Sequence, residues 1–472
     1  MLFNSLLFLV FFAGALIGAW SLKGRLRLGF LLLASYLFYM SWHPLFIGLI
    51  ALSTVVDFWV AQRIEDTEDT RQRKGLLWGS LAMNLGLLGY FKYTNFFLQS
   101  LGDASTFLGV PLSFPIYSIV LPVGISFYTF QTMSYTVDVY RGHLKAERDL
   151  LRFALYVSFF PQLVAGPIVR AVDLLPQFKL PVSLSRDQVG SALFRIARGM
   201  VKKVVIADYL AVNLVDRAFS DSAVYSSAEL MVALYGYTMQ IYCDFSGYTD
   251  VAIGAAMLLG YRLPENFDRP YIATTVAGFW RRWHITLSGW LRYYVFFPLG
   301  GSRGSVWLAH RNTFITLLLI GLWHGANWTF VVYGAIHGVA ISINRVLVRR
   351  NGRRADEFAQ PWHQILWKVA VTFHFVVLAR ILFRSTSFGA AWTFTEHLVG
   401  NGWGLARITG GVWAVLAASY LIHWTPRRWL DQLSEQFTAL PAPLKGAALA
   451  ALAAGVATVA ETDVVPFIYF QF

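Results

Sequence analysis

From Arg311 to Arg345 the chain reads RNTFITLLLIGLWHGANWTFVVYGAIHGVAISINR. The 33 residues between the two arginines include no Asp, Glu, Lys or Arg, and His324 stands near their middle. As one helix they would measure about 50 Å, against a hydrocarbon core of about 30 Å. Two full spans need about 40 residues. The stretch is too long for one span and too short for two, which predicts a broken helix. The break falls at Trp323-His324-Gly325-Ala326-Asn327, where Gly ends one helix and Asn caps the next. Between Arg311 and His324 there is room for roughly 18 Å of helix. His324 is therefore expected deep in a membrane, on irregular backbone. Such backbone is tolerated there only inside protein or against a wet cavity. An ionisable residue at that depth is a functional candidate.

The composition supports a membrane protein. Of 472 residues, 56% are hydrophobic and 14% charged, against about 25% charged in soluble domains. The 38 glycines and 17 tryptophans suit close helix packing and interfacial anchoring. The apolar runs are continuous rather than alternating, which excludes a β-barrel. The expected fold is all-α and polytopic, with about 11–12 membrane-inserted segments, some broken or re-entrant. They lie near 2–20, 28–42, 44–60, 76–98, 117–137, 151–168, 203–218, 229–260, 312–344, 364–383, 411–424 and 445–460. The first segment lacks a preceding basic residue and a cleavage site, so it reads as a retained helix. Basic loops at Lys23–Arg27 and Arg63–Lys74 point to the cytoplasm, which leaves the N-terminus outside. By the same rule the 98–116 region, which has no Lys or Arg, is external, and Arg141, Lys145 and Arg148 are internal. One membrane domain is expected over 1–472: N-terminal helices to 100, a core over 101–400, and C-terminal helices after it.

The net charge is +13. The basic residues are spread over short loops between apolar runs, which fits loops facing anionic lipid rather than nucleic acid. The one cysteine, Cys243, excludes an internal disulfide. No HxxxH or HExxH pair is present, so no metal site is expected. A GxSxG elbow and a phosphate-binding glycine loop are also missing.

Two further stretches carry polar groups in apolar company. Phe279-Trp280-Arg281-Arg282-Trp283-His284-Ile285-Thr286-Leu287-Ser288-Gly289-Trp290-Leu291-Arg292-Tyr293-Tyr294 has the spacing of an amphipathic helix. Trp280, Trp283, His284, Leu287, Leu291 and Tyr294 share one face; Arg281, Ser288 and Arg292 share another. Such a helix lies in the interface plane or packs under the bundle, where His284 is either a packed side chain or a site residue. Gln240-Ile241-Tyr242-Cys243-Asp244-Phe245-Ser246-Gly247-Tyr248-Thr249-Asp250 sets two carboxylates in an apolar run. Asp244 and Asp250 need partners at that depth: an arginine of 281–292, a helix end, or a direct chemical role.

Taken together, these stretches resemble the membrane-bound O-acyltransferase superfamily, in particular its bacterial branch that O-acetylates alginate and related exopolysaccharides. The run Phe279 to Leu291 and the segment Trp323-His324-Gly325-Ala326-Asn327-Trp328 carry the resemblance. Supporting motifs are Leu121-Pro122-Val123-Gly124-Ile125-Ser126-Phe127-Tyr128-Thr129-Phe130, Phe160-Pro161-Gln162-Leu163-Val164-Ala165-Gly166-Pro167, Tyr242 to Tyr248, and Phe467 to Phe472. The chain departs from the alginate branch at Arg292-Tyr293-Tyr294, where those relatives carry an acidic residue after the arginine.

The resemblance implies a fold with a central tunnel and an acyltransferase in which His324 and His284 are the catalytic pair. Asn327, Trp323, Asp244 and Asp250 would support them, and Arg281, Arg282 and Arg292 would hold the phosphates of a donor such as acetyl-CoA. It implies no bound cofactor, a place in the bacterial inner membrane, and periplasmic acceptor proteins of an exopolysaccharide acetylation complex as partners. A buried neutral imidazole suits general-base work on a hydroxyl. Asn327 either caps the following helix or serves the reaction. The alternatives are D-alanyl transfer to teichoic acid by a related acyltransferase, a multi-pass transporter or flippase, and a scaffold for a polysaccharide synthase.

Overall fold

The computed structural model describes residues 1–164, 166–350, 361–460 and 466–467. Ala165 and residues 468–472 of the motifs quoted above lie outside them. The described elements are all helical, with short 3₁₀ and π-helical turns between α-helices and no strand. Among the described residues, five helices are long and apolar enough to cross a bilayer: Pro44–Asp66, Val306–His324, Trp328–Arg349, Trp362–Arg384 and Ala442–Val459. Leu6–Ser21 and Gly410–Trp424 are shorter apolar helices. Each falls on a segment that hydropathy marks. Ala442–Val459 has no buried residue, an arrangement that suits lipid and not water. The chain is a multi-pass helical membrane protein.

Helix starts follow local chemistry. Asp69, Asp149, Thr275, Ser305 and Ser387 each accept a backbone N–H at the first turn of the helix that follows, which satisfies one of the orphan donors there.

The chain forms two compact units, 1–185 with 255–264, and 186–254 with 265–472. In the first, α1 (Ile47–Asp66), α2 (Thr70–Leu88) and α3 (Ile125–Tyr140) pack together. Gly124 begins α3 with φ 75°, and a Cβ there would meet the Leu163 carbonyl at 2.7 Å. Only glycine fits that combination.

The second unit holds α4 (Arg186–Met200), α5 (Ser227–Leu258), α6 (Val276–Arg282), α7 (Ile285–Leu291), α8 (Val306–His324), α9 (Trp328–Arg350) and α10 (Trp362–Arg384). Helices α8 and α9 form a tight hairpin. A Cβ at Gly321 would run into the Phe330 carbonyl, so the glycine lets the two backbones touch. The break at 325–327 is where the sequence places it. The length argument needs correction, however. Helix α8 has 19 residues and α9 has 23, so both are of spanning length. They extend past Arg311 and Arg345, because an arginine near a helix end keeps its head in water while its stem stays apolar. Counting only uncharged residues underestimates such helices.

Candidate active site

His324 is the last residue of α8. Gly325 follows in extended conformation and ends the helix. Asn327 then starts α9: its Oδ1 accepts from Thr329 N at 2.9 Å, and its Nδ2 donates to the Thr386 carbonyl at 2.8 Å. Asn327 is thus a capping residue that also ties the break to the end of α10. His324 itself is 2% exposed. Its ring lies 5.3 Å from that of Trp323 and 5.2 Å from that of Phe383 on α10.

His284 reaches the same place from a different element. The sequence pattern predicts one amphipathic helix over 279–294, but the structure splits it into α6 and α7 at Trp283-His284. His284 takes the left-handed conformation, φ 43° and ψ 56°, at a cost of about 1–3 kcal/mol for a non-glycine residue. The loop at 266–268 holds it there. Ile285 N donates to the Asn266 carbonyl at 2.9 Å, Thr286 Oγ1 donates to Asn266 Oδ1 at 2.9 Å, and Asp268 N donates to the Arg282 carbonyl at 2.9 Å. The turn drives the imidazole into the interior, where it is 0% exposed. Its ring centroid lies 4.7 Å from Phe245 and 5.4 Å from Trp323. Burial pushes the His284 imidazole down, to about 3, so it is neutral at pH 7. Both histidine rings therefore touch Trp323, and the two imidazoles share a buried aromatic setting.

A model of the membrane-bound O-acyltransferase family, MBOAT, matches residues 141–387, which include both histidines. Over 431 residues the chain is 41% identical to "Probable alginate O-acetylase AlgI" of Pseudomonas aeruginosa, covering 89% of this chain and 80% of the relative. The chain belongs to the membrane-bound O-acyltransferase family. It is an O-acetyltransferase. It is also 35% identical to a peptidoglycan O-acetyltransferase of Helicobacter pylori, over 80% of this chain and 75% of that one. A teichoic acid D-alanyltransferase of Bacillus subtilis is 28% identical over 58% of this chain and 71% of its own.

Within this family-matching segment the carboxylates have different surroundings from the histidines. Asp250 is 4% exposed and pairs with Lys202 Nζ at 2.7 Å, Arg198 at 2.6 Å and Arg195 at 3.1 Å. Asp244 is 3% exposed and pairs with Lys203 Nζ at 2.6 Å, which also binds Asp208 at 2.7 Å. Both carboxylates have the partners their burial demands. Those cations come from 195–203, on α4 and the π-helical turn after it, where the sequence leaves open an arginine of 281–292, a helix end or a direct chemical role. The two groups clamp α5 to that segment.

Of the three arginines assigned to a donor, Arg281 and Arg292 are exposed. Arg282 is half-buried and donates to Asp268 at 3.1 Å. Trp280, Trp283 and Leu287 are buried, as the apolar face requires.

Two residues of this setting escaped the sequence reading. Asn266, 0% exposed, positions His284 through the bonds above, and no local signal marks it. Arg380, also 0% exposed, has its guanidinium carbon 4.7 Å from the Trp283 ring centroid and 5.2 Å from that of Phe383. It therefore stacks beside a ring on each histidine's side of the site. A signal for it existed: it interrupts an apolar run, and the rule that singles out His324 applies equally.

Proposed function

We propose that this O-acetyltransferase takes an acetyl group from a cytoplasmic thioester, acetyl-CoA by class, and delivers it across the inner membrane for O-acetylation of an exopolysaccharide. The single observation that carries the reading is the pair of buried imidazoles, both in contact with the Trp323 ring, in the family-matching segment. The similarity to alginate and peptidoglycan O-acetyltransferases supports a polysaccharide as the final acceptor.

In the proposed step a hydroxyl attacks the thioester carbonyl. His324 takes the hydroxyl proton as the new C–O bond forms, and returns it to the sulfur as the C–S bond breaks. A thiol leaves, and atoms and charge balance. His284, neutral in its aromatic setting, serves the same reaction from beside Trp323. Arg380 and Phe383 position the His324 ring, and Asn266 positions His284. Arg281 and Arg292, both exposed, are the groups that meet the donor phosphates. The acceptor hydroxyl belongs to a periplasmic protein of the acetylation complex or to the polymer itself.

The experiment is single turnover with purified full-length protein in detergent. Radiolabelled acetyl-CoA, a D-alanyl thioester and polymer fragments are supplied, and released CoA and labelled product are measured. Acetyl-dependent release that disappears in His324→Ala supports the reading. Release only with the D-alanyl thioester would move the chain to the teichoic acid reaction. No release with either would favour a transporter or scaffold.

A further inference from the structure

The hairpin of α8 and α9 has two ends of opposite character. One end is the break after His324. The other carries His310, near the start of α8, and Arg345 and Arg349, one turn apart near the end of α9. Close packing brings these basic groups together. A Cβ on Gly334 would meet the Leu317 carbonyl, and one on Gly338 would meet Phe314. The two helices are therefore antiparallel, in a register that lays His310 beside the last turns of α9. The charges of Arg345 and Arg349 both act on His310, and that of Arg349 acts on Arg345.

Like charges gathered at one spot repel. Elsewhere in this unit clustered cations hold carboxylates: Arg195, Arg198 and Lys202 hold Asp250, and Lys203 holds Asp244. At the hairpin end, no carboxylate is among the groups that act on His310 or Arg345. Arg349 is exposed, but His310 and Arg345 are half-buried. Arg345 carries its head toward the helix end without freeing all of it: Arg345 Nη1 and His310 Nδ1 are buried and have no hydrogen-bond partner among the described residues. A guanidinium N–H withdrawn from water needs an acceptor. Here the acceptor has to come from outside the chain.

The surroundings indicate its chemistry. Two guanidiniums and a ring nitrogen match the oxygens of a phosphate group. On the same helix faces, Val306 and Trp307 lie about one turn before His310, and Val348 lies one turn after Arg345. They are 48%, 73% and 40% exposed, so the basic spot is bordered by open apolar surface at the ends of two spanning helices. The basic end of a membrane hairpin meets the anionic leaflet.

We infer that His310, Arg345 and Arg349 form a binding site for a phosphate ester, the headgroup of an anionic phospholipid. Its phosphate accepts from Arg345 and His310 on the inner side and from Arg349 at the surface, while the acyl chains run along Trp307 and Val306. The bound lipid offsets the repulsion and fastens the end of the hairpin opposite His324.

The test is thermal unfolding of the full-length protein in neutral detergent at constant ionic strength, titrated with phosphatidylglycerol, phosphatidylcholine or CoA. A ligand that binds only the folded state raises the unfolding temperature in a saturable way. The expected result is a saturable rise with phosphatidylglycerol and none with phosphatidylcholine. Arg345→Gln and Arg349→Gln should each raise the phosphatidylglycerol midpoint about fivefold, the scale of one basic residue at an anionic surface. Arg71→Gln, at an exposed position of the first unit, should leave it unchanged. If Arg345→Gln does not fold, Arg349→Gln and the phosphatidylglycerol retained on purification, counted by native mass spectrometry, carry the test. Equal midpoints in the wild type and both hairpin variants, or an equal shift in Arg71→Gln, overturn the inference and leave the cluster as diffuse positive charge. A rise with CoA that Arg345→Gln removes would give the site to the acyl donor and overturn the lipid assignment.

Discussion

In the second unit His284 and His324 are buried to much the same degree as Asp244 and Asp250, and are surrounded differently. His284 and His324 stand among Trp323, Phe245 and Phe383. Asp244 and Asp250 stand among Lys203, Lys202, Arg198 and Arg195. A carboxylate gripped by cations is fixed in its charged state, and its energy resides in holding helices together. Burial holds the His284 imidazole neutral, and a neutral imidazole is the form that can take a proton from a reacting hydroxyl. The same burial thus carries a charge clamp in one place and, in the proposed reaction, the proton-accepting groups in the other.

The sharpest way to break this comparison is at His324. His324→Ala should lower acetyl transfer by about 10²–10⁴-fold while the protein still accumulates in the membrane. His324→Gln keeps a hydrogen-bonding amide but accepts no proton, so it should fall as far. Near-normal turnover in the glutamine variant, measured as released CoA, would place His324 with the structural residues.

The clamp should behave in the opposite way. Asp250→Leu strands three cations and should cost about 3–5 kcal/mol of stability, read as a loss of folded yield and unfolding temperature. Asp250→Asn should be milder. The surviving folded fraction of either variant should keep most of its specific activity. An Asp250→Asn protein that is fully folded but inactive would bring this carboxylate into the chemistry.

Arg380 tests how much the rings matter. Arg380→Lys keeps the charge and loses the planar guanidinium. A desolvated cation–π contact is worth about 2 kcal/mol, so transfer should fall roughly tenfold to thirtyfold, mainly in kcat. A change confined to KM would show that Arg380 meets the donor instead.

The smallest effect concerns pH. The His284 imidazole is held down to about 3 from an ordinary 6.5. As pH falls below 6.5 the unfolded chain gains a proton at this site and the folded chain does not until about 3. Stability at this residue is therefore complete above 6.5 and is lost progressively through that window. His284→Gln should flatten that part of the stability–pH curve, as measured by thermal unfolding at pH 4, 5 and 7. An unchanged slope would mean that other groups account for it.

The sequence alone determined a good deal. Continuous apolar runs required a helical membrane protein, because backbone groups in lipid must be satisfied within their own segment. The Gly-Ala-Asn triplet after His324 determined where α8 stops and α9 starts, since caps and breakers act through local dihedrals and local hydrogen bonds. The family motifs singled out His284 and His324. The tertiary structure decided what those residues touch. Whether Asp250 would pair with Arg292 or Arg198 depends on which helix lies beside α5, and no local pattern encodes that. The left-handed turn at His284 overrides a good amphipathic periodicity, because Asn266, eighteen residues earlier, supplies hydrogen bonds that a continuous helix would forgo. The role of Asn266 became visible only when distant segments were brought together, whereas Arg380 already stood out as a charge inside an apolar run. Burial and hydrogen-bond closure are properties of the packed chain, whereas hydropathy and capping are properties of its neighbouring residues.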